Sequence, residues 1–273
     1  MYSLFLAPSK SNDSIMIHVV KNESITTIAS QLKEDNAINS STTLKILIKF
    51  FNSSGKIARG DYKFDPHESV LHIALQIAQS HHNVDPIRVT FKEGATNTEM
   101  ASTLTKDLPN FDSASFLALV NGKQGYLFPD TYFFFPLSTP EEIVETLSGN
   151  FDTQIAPLKA EIASSGKPES DIIIMASIIE KEAHGQDDNG LISGILWKRI
   201  ANGMPLQVDA APSTYKQKGL PLQPISNPGI QAIEASLHPI ASPYLFYLHD
   251  KNGMVHFATT YSEHERNIAR YLQ

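Results

Sequence analysis

Apolar positions in the first hundred residues recur in short blocks of two kinds. Ile15–Val20 is a mostly β-branched run with polar residues on both sides, a pattern that predicts a strand. Lys21–Ser24 then supplies a turn and a helix cap, and Ile25, Ile28, Ala29 and Leu32 follow at helical spacing. A second helix is predicted from Thr42 to Phe51, ended by the polar stretch Asn52–Gly55. The strand–turn–helix unit recurs twice. Tyr62–Phe64 leads through Asp65–Glu68 to Val70, Ile73, Ala74 and Ile77, and Val89–Gly94 leads to Met100–Leu104, whose spacing echoes Ile28–Leu32. Further on, Gly125–Pro136 concentrates the aromatic residues, and Pro140–Ile143 opens a helix with proline and acids at its positive end.

The longest apolar run comes next. Asp171–His184 is predicted as one helix, in which eight residues without a charge lead into Glu180, Lys181 and Glu182. A loop at Gln186–Gly190 and a helix over Leu191–Ala201 follow. Gly203–Gly229, with five prolines, is predicted to be loop. Then come a helix over Ile230–Leu237, strands Tyr244–His249 and Val255–Ala258 around the turn Asp250–Gly253, and a capped terminal helix from Ser262. The class is α+β, with a boundary expected near Asn83–Pro86: residues 1–85 as one module and 86–273 as a second domain.

Composition narrows the chemistry. Hydrophobic residues at 41% and charged residues at 19% belong to a folded globular protein. A net charge of −7 without a basic stripe argues against nucleic acid as a partner. There is no cysteine, so disulfides and thiolate metal sites are excluded, and the ten histidines show no metal-ligand spacing. No metal and no cofactor is expected. His67, His72, His81 and His82 are read as solvated positions. The apolar patch within Met1–Pro8 is too short for a membrane span or signal segment.

A carboxyl at the end of a buried stripe is desolvated, which raises its pKa and suits it to general-acid work. The same run also fits a core helix that simply ends in solvated charge. Helical geometry separates its two acids. Three and four residues before Glu182 lie Ile179 and Ile178, with Met175 and Ile172 behind them, so Glu182 continues the apolar row. Behind Glu180 lie Ser177, Ala176 and Ile173, a smaller and more polar flank. Glu182 is therefore the expected desolvated acid, and Glu180 a support or surface residue.

Four collinear blocks carry a family resemblance. Residues 125–132 (GYLFPDTY) resemble the EGYLFPDTY block of the endolytic murein transglycosylases, the MltG/YceG-like family, with Gln124 where glutamate is usual. Residues 176–183 (ASIIEKEA) resemble its ASIVEKEA block, and 203–209 (GMPLQVD) its GMxLQSD block. Residues 213–229 resemble NTYxxxGLPPGPIxNPG. The resemblance implies a lysozyme-like catalytic domain with added strands. It would cleave the β-1,4 bond between N-acetylmuramic acid and N-acetylglucosamine to leave 1,6-anhydromuramic ends, with Glu182 as the one acid/base. It also implies peptidoglycan glycan strands as substrate, peptidoglycan synthases as possible partners, and a membrane anchor preceding this chain that holds the enzyme outside the cytoplasmic membrane.

The N-terminal strand–helix–helix pattern is similar to a LysM module. Gln207 and Asp209 become candidates for binding the sugar or orienting Glu182, with Glu180, Tyr215, Asn227 and Tyr126 as further substrate-binding candidates. Buried core is the competing reading for Tyr126 and Phe128. The chain departs from the family where Asp209 runs directly into Ala210–Tyr215, a shortened stretch, and Lys198 stands where asparagine is common. The role of His238 is open. The rival function is a non-catalytic peptidoglycan-binding protein that retains the fold.

Overall fold

The computed structural model describes residues 13–52, 56–182 and 188–272. The expectations for Met1–Pro8, for the end of the Asn52–Gly55 turn, for residues 183–184 and for the first two residues of the Gln186–Gly190 loop therefore lie outside the described residues, and the last two of that loop already belong to a helix.

The chain enters by β1 (Ile15–Val19), α1 (Ile25–Glu34), α2 (Ser41–Phe51), β2 (Gly60–Phe64) and α3 (Val70–Gln79). It continues with β3 (Ile87–Thr90), α4 (Asn97–Asp107), α5 (Ser113–Leu119), β4 (Thr131–Phe134) and α6 (Pro140–Ile155). After a 3-10 turn at Ala156–Leu158 come α7 (Lys159–Ser164), α8 (Glu169–Glu182), α9 (Asn189–Ala201) and α10 (Ile230–Leu237). The chain closes with β5 (Phe246–His249), β6 (Val255–Ala258) and α11 (Tyr261–Tyr271). Among the described residues, no helix is long and apolar enough to cross a membrane.

All three copies are strand–turn–helix units: β1–α1, β2–α3 and β3–α4. Each turn contains a left-handed residue, at Asn22 (φ 64°), His67 (φ 65°) and Gly94 (φ 76°). Ser24 and Ser69 cap the helices that follow, their hydroxyls accepting the Thr27 and His72 N–H groups.

Two compact units emerge. The smaller comprises residues up to Val89 together with Lys106–Phe111 and Tyr132–Thr139. The division thus falls after Val89, and two later segments return to the first unit, an excursion that no local pattern signals. In this unit β1 pairs antiparallel with β2, Ile17 opposite Tyr62. Ile17, Val19, Ile28, Leu32, Leu44, Ile48, Tyr62, Phe64, Ile73 and Ile77 form its core. Asp61 is fully buried and accepts from the Leu137 N–H at 2.7 Å, with His18 Nδ1 2.6 Å away. His82 is not solvated as expected. It packs against the rings of Tyr62 and Phe135 at 4.5 and 4.7 Å, and its Nδ1 meets the Asp61 carbonyl at 2.9 Å.

The larger unit holds Thr90–Thr105, Asp112–Thr131 and the chain from Pro140 onward. Its centre is α8, in which every residue from Ile172 to Ile179 is buried. A helix that is apolar all round has no solvent face to offer, so neighbours must cover it on every side. α9, α10, Phe151 and Ile155 of α6, and the loop residues Leu206 and Val208 do so. Each isoleucine removed from water contributes roughly 1.5–3 kcal/mol. Glu169 and Asp171 lie in the first turn and Lys181 in the last, matching the helix dipole.

Candidate functional site

Two faces of α8 receive different things. On one, Ser177 and Glu180 stand one turn apart and hold the loop Pro224–Gly229. The Ser177 hydroxyl accepts the Ile225 N–H at 3.0 Å, and the Ser226 hydroxyl donates to the Ser177 carbonyl at 3.1 Å. One turn on, Glu180 Oε2 accepts the Gly229 N–H at 2.9 Å. A Cβ at Gly229 would meet the carboxylate of Glu93, the far end of an exposed side chain that would have to swing aside. Burial raises the Glu180 pKa above 4.5; the Gly229 hydrogen bond opposes this and the nearby Glu93 charge adds to it.

Glu180 is therefore a support and not a surface residue. Its flank is polar because it docks backbone from a distant loop, not because it faces water. The expectation that desolvation singles out Glu182 needs the same correction: both acids are half-buried. What separates them is their surroundings.

Glu182 lies on the wall of a cavity of about 620 Å3, lined also by Lys181, Arg199, Gln207, Asp209, Tyr215 and Tyr247. The Tyr247 hydroxyl donates to Glu182 Oε2 at 3.1 Å. Burial, followed by the charge of Glu182, lifts the Tyr247 pKa well above 10.0, so the phenol keeps its proton. Tyr215 donates to Asp209 Oδ1 at 2.5 Å, and this bond is the chief cause of a Tyr215 pKa pushed up to about 12.

The shortened stretch after Asp209 closes on itself around Thr214, which is fully buried. The Thr214 hydroxyl donates to the Ala211 carbonyl at 2.6 Å and accepts the Val208 N–H at 3.0 Å. Gln207 is held in the left-handed region at φ 51°, a conformation that costs a non-glycine residue of order 1 kcal/mol.

Beneath this loop lies Arg199, only 5% exposed. Its Nη1 donates to the Leu206 carbonyl at 2.5 Å and its Nε to the Leu245 carbonyl at 2.7 Å. One guanidinium thus ties the loop bearing Gln207 and Asp209, and the entry to β5, onto α9. Burial lowers its pKa; the neighbouring Tyr247, Tyr215 and Glu182 act in the opposite direction.

Of the sequence candidates, Glu182, Gln207, Asp209 and Tyr215 come together, while Asn227 and Tyr126 do not join them. Asn227 is fully buried. Its Oδ1 accepts the Gly125 and Leu127 N–H groups at 2.7 and 3.2 Å, and its Nδ2 donates to the Ala95 carbonyl and to Asn97 Oδ1, both at 2.9 Å. Engaged on both sides of its amide, it braces three chain segments instead of facing a ligand. Tyr126 packs at the edge of the α8 core with its ring 5.2 Å from Phe151.

The departures also have structural roles. Gln124 accepts the Asn97 N–H and donates to the Pro224 carbonyl at 3.0 Å, a donation an ionised glutamate could not make. Lys198 donates to the Ser242 and Pro243 carbonyls at 3.0 and 3.1 Å. His238 meets Glu161 at 2.5 Å on the surface.

Arg199 and Tyr247 were not among the candidates. A signal for the arginine was present, since Ile192, Ile195, Leu196 and Arg199 share one helical face and put a cation on an apolar stripe. Nothing in the β5 sequence marks Tyr247. Among the described residues, no group of three or more His, Asp or Glu could hold a metal ion.

The sequence profile of the YceG-like family matches residues 17–212 and 213–270. The chain belongs to the YceG-like family. The match divides within the shortened stretch, at residues 212 and 213. Relatives include a Bacillus subtilis protein named endolytic murein transglycosylase, 26% identical over 311 aligned positions that cover 96% of this chain and 86% of that protein. A Streptococcus pneumoniae protein of the same name is 28% identical over 198 positions, covering 62% of this chain and 35% of the pneumococcal one. The crystal structure of a YceG-like protein from Listeria monocytogenes matches with a TM-score of 0.62 and 26% identity, over 94% of this chain and 99% of that one. The mixed α/β fold is thus shared with that YceG-like protein.

Proposed function

We propose that this chain is an endolytic lytic transglycosylase that cleaves the N-acetylmuramic acid–β-1,4–N-acetylglucosamine bond within peptidoglycan strands and leaves 1,6-anhydromuramic ends. The observation that carries the reading is the division of labour on α8: Glu182 lines the cavity while Glu180 accepts a loop N–H. The name shared by the Bacillus and Streptococcus relatives supplies the reaction class.

In this reading Glu182 is the single acid/base. Its carboxyl proton passes to the glycosidic oxygen as the bond to the muramic C1 breaks, releasing the N-acetylglucosamine end. The resulting carboxylate then takes the proton from the C6 hydroxyl of the same muramic residue, whose oxygen closes on C1. The proton returns to Glu182 and no water is consumed. Hydrolases generally need a second carboxyl as nucleophile or base. Here a tethered hydroxyl takes that role with a large effective concentration. Gln207, Asp209 and Tyr215 would hold the sugars beside the acid.

The order β1–α1–α2–β2 supports a LysM-like reading of the N-terminal module, and a buried helix ending in an acid supports a lysozyme-like catalytic domain. The proposed location is the outer face of the cytoplasmic membrane, with an anchor preceding this chain and peptidoglycan synthases nearby.

Purified sacculi incubated with the parent, Glu182→Gln and Glu180→Gln test the reading by mass spectrometry of the released fragments. The parent and Glu180→Gln should yield anhydro-ended products, and Glu182→Gln at least about 100-fold less. Reducing ends would mean hydrolysis, and no cleavage by the parent would favour the binding-protein alternative. Activity lost in Glu180→Gln but kept in Glu182→Gln would move the acid to Glu180.

A further inference from the structure

Tyr247 is fixed more firmly than a cavity-lining side chain needs to be. Its ring packs against the α8 core and lies edge-on to His249 at 6.1 Å. Its strand is registered against β6, with Tyr247 opposite Phe257. Two residues earlier, the Leu245 carbonyl is held by the Arg199 guanidinium at 2.7 Å. Core packing, strand register and a buried cation thus converge on one hydroxyl, and that hydroxyl donates to Glu182 Oε2 at 3.1 Å.

We propose that Tyr247 is the positioning residue for the acid: its O–H holds the Glu182 carboxyl in one orientation and stabilises the carboxylate formed when the proton has left. The proposal rests on the reading of Glu182 as acid/base. A carboxyl at the end of a helix turns about three side-chain bonds, and a donor fixed by a separate strand removes much of that freedom before substrate arrives. The bond also strengthens as charge develops on Glu182, since hydrogen bonds to ionised groups are roughly twice as strong as neutral ones.

Other titratable groups face the same cavity. Lys181 lies on the acid's own helix, Arg199 on α9, and Asp209 and Tyr215 on the loop. His249 closes β5 and Asp250 follows it, and Tyr261 and His264 come from α11. Any of these can move the pH profile, so the test changes only the Tyr247 hydroxyl.

Cleavage of purified uncrosslinked glycan strands is followed against pH for the parent, Tyr247→Phe and Glu182→Gln. Loss of the donor destabilises the carboxylate and keeps Glu182 protonated to higher pH. The alkaline limb of the Tyr247→Phe profile should therefore rise by about one pH unit, with kcat about tenfold lower and KM within about twofold. A merely structural role would lower thermal stability and leave the limb in place. A parent-like kcat and limb in Tyr247→Phe, with Glu182→Gln inactive, would overturn the positioning role alone. An active Glu182→Gln would instead overturn the acid assignment. Should Tyr247→Phe fail to fold, 3-fluorotyrosine at position 247 keeps the shape and strengthens the donor. The limb should then move to lower pH, and an unmoved limb would sink the proposal.

Discussion

The loop around Asn227 and the loop around Asp209 both lie in sequence blocks resembling the same family, and both are polar turns laid against the α8 core. Around Asn227 the polar groups are spent on backbone: four hydrogen bonds join Gly125, Leu127, Ala95 and Asn97, and Gln124 adds a tie to the Pro224 carbonyl. Around Asp209 the buried work is delegated to Thr214, which leaves Gln207, Asp209 and Tyr215 on the cavity wall. Tyr215 is 48% exposed, whereas Asn227 has no exposure at all. A polar residue within a motif is therefore architecture where its partners are buried backbone groups, and a candidate for chemistry where it lines an open cavity.

Asn227→Ala should break the first loop. It strands two buried N–H donors and removes two donations, a loss of about 3 kcal/mol that should lower the melting temperature by roughly 6–12 °C in a calorimetric scan. Activity measured well below the new melting point should stay near the parent's, and a variant that melts like the parent would sink the bracing role.

Tyr215→Phe should do the converse to the second loop. Losing the bond to Asp209 from a half-exposed site should change stability by no more than about 0.5 kcal/mol. Strand cleavage should slow by roughly fivefold to tenfold. Equal activity of the two proteins on sacculi would remove Tyr215 from the site.

The smallest effect belongs to Glu180. Its pKa is raised in the folded protein, so the native state keeps the proton to higher pH than the unfolded chain does. The associated stability is present in full below the unfolded value near 4.5 and is lost as pH rises through the raised folded value. Urea midpoints measured across that window should fall with rising pH in the parent and fall less steeply in Glu180→Gln. Parallel slopes would show that Glu180 carries no such linkage.

Much of the scaffold was legible because its signals are local. The helix Ile230–Leu237 and the strand Val255–Ala258 fall on the bounds that their patterns predict, and the serine caps and left-handed turns mark the strand–turn–helix recurrences. α5 and α7, short helices of seven and six residues, offer too few turns for a period to stand out. β4 is hidden inside the aromatic block, where one face of the strand remains open: Phe133 is 65% exposed while Phe134 is buried. His82 escaped for a different reason, since its aromatic neighbours Tyr62 and Phe135 are far from it in sequence.

By itself the sequence determined the helix that ends in two acids, the polarity of the flank behind Glu180 and the membership signalled by four ordered blocks. Only the tertiary structure decided what that flank is for. Ser177 and Glu180 receive the backbone of a loop nearly fifty residues downstream, while Arg199 and Tyr247 converge beside Glu182 from two other elements. Helical periodicity reports which residues share a face. Whether that face meets water, backbone or a cavity is set by chain segments whose approach no local pattern encodes.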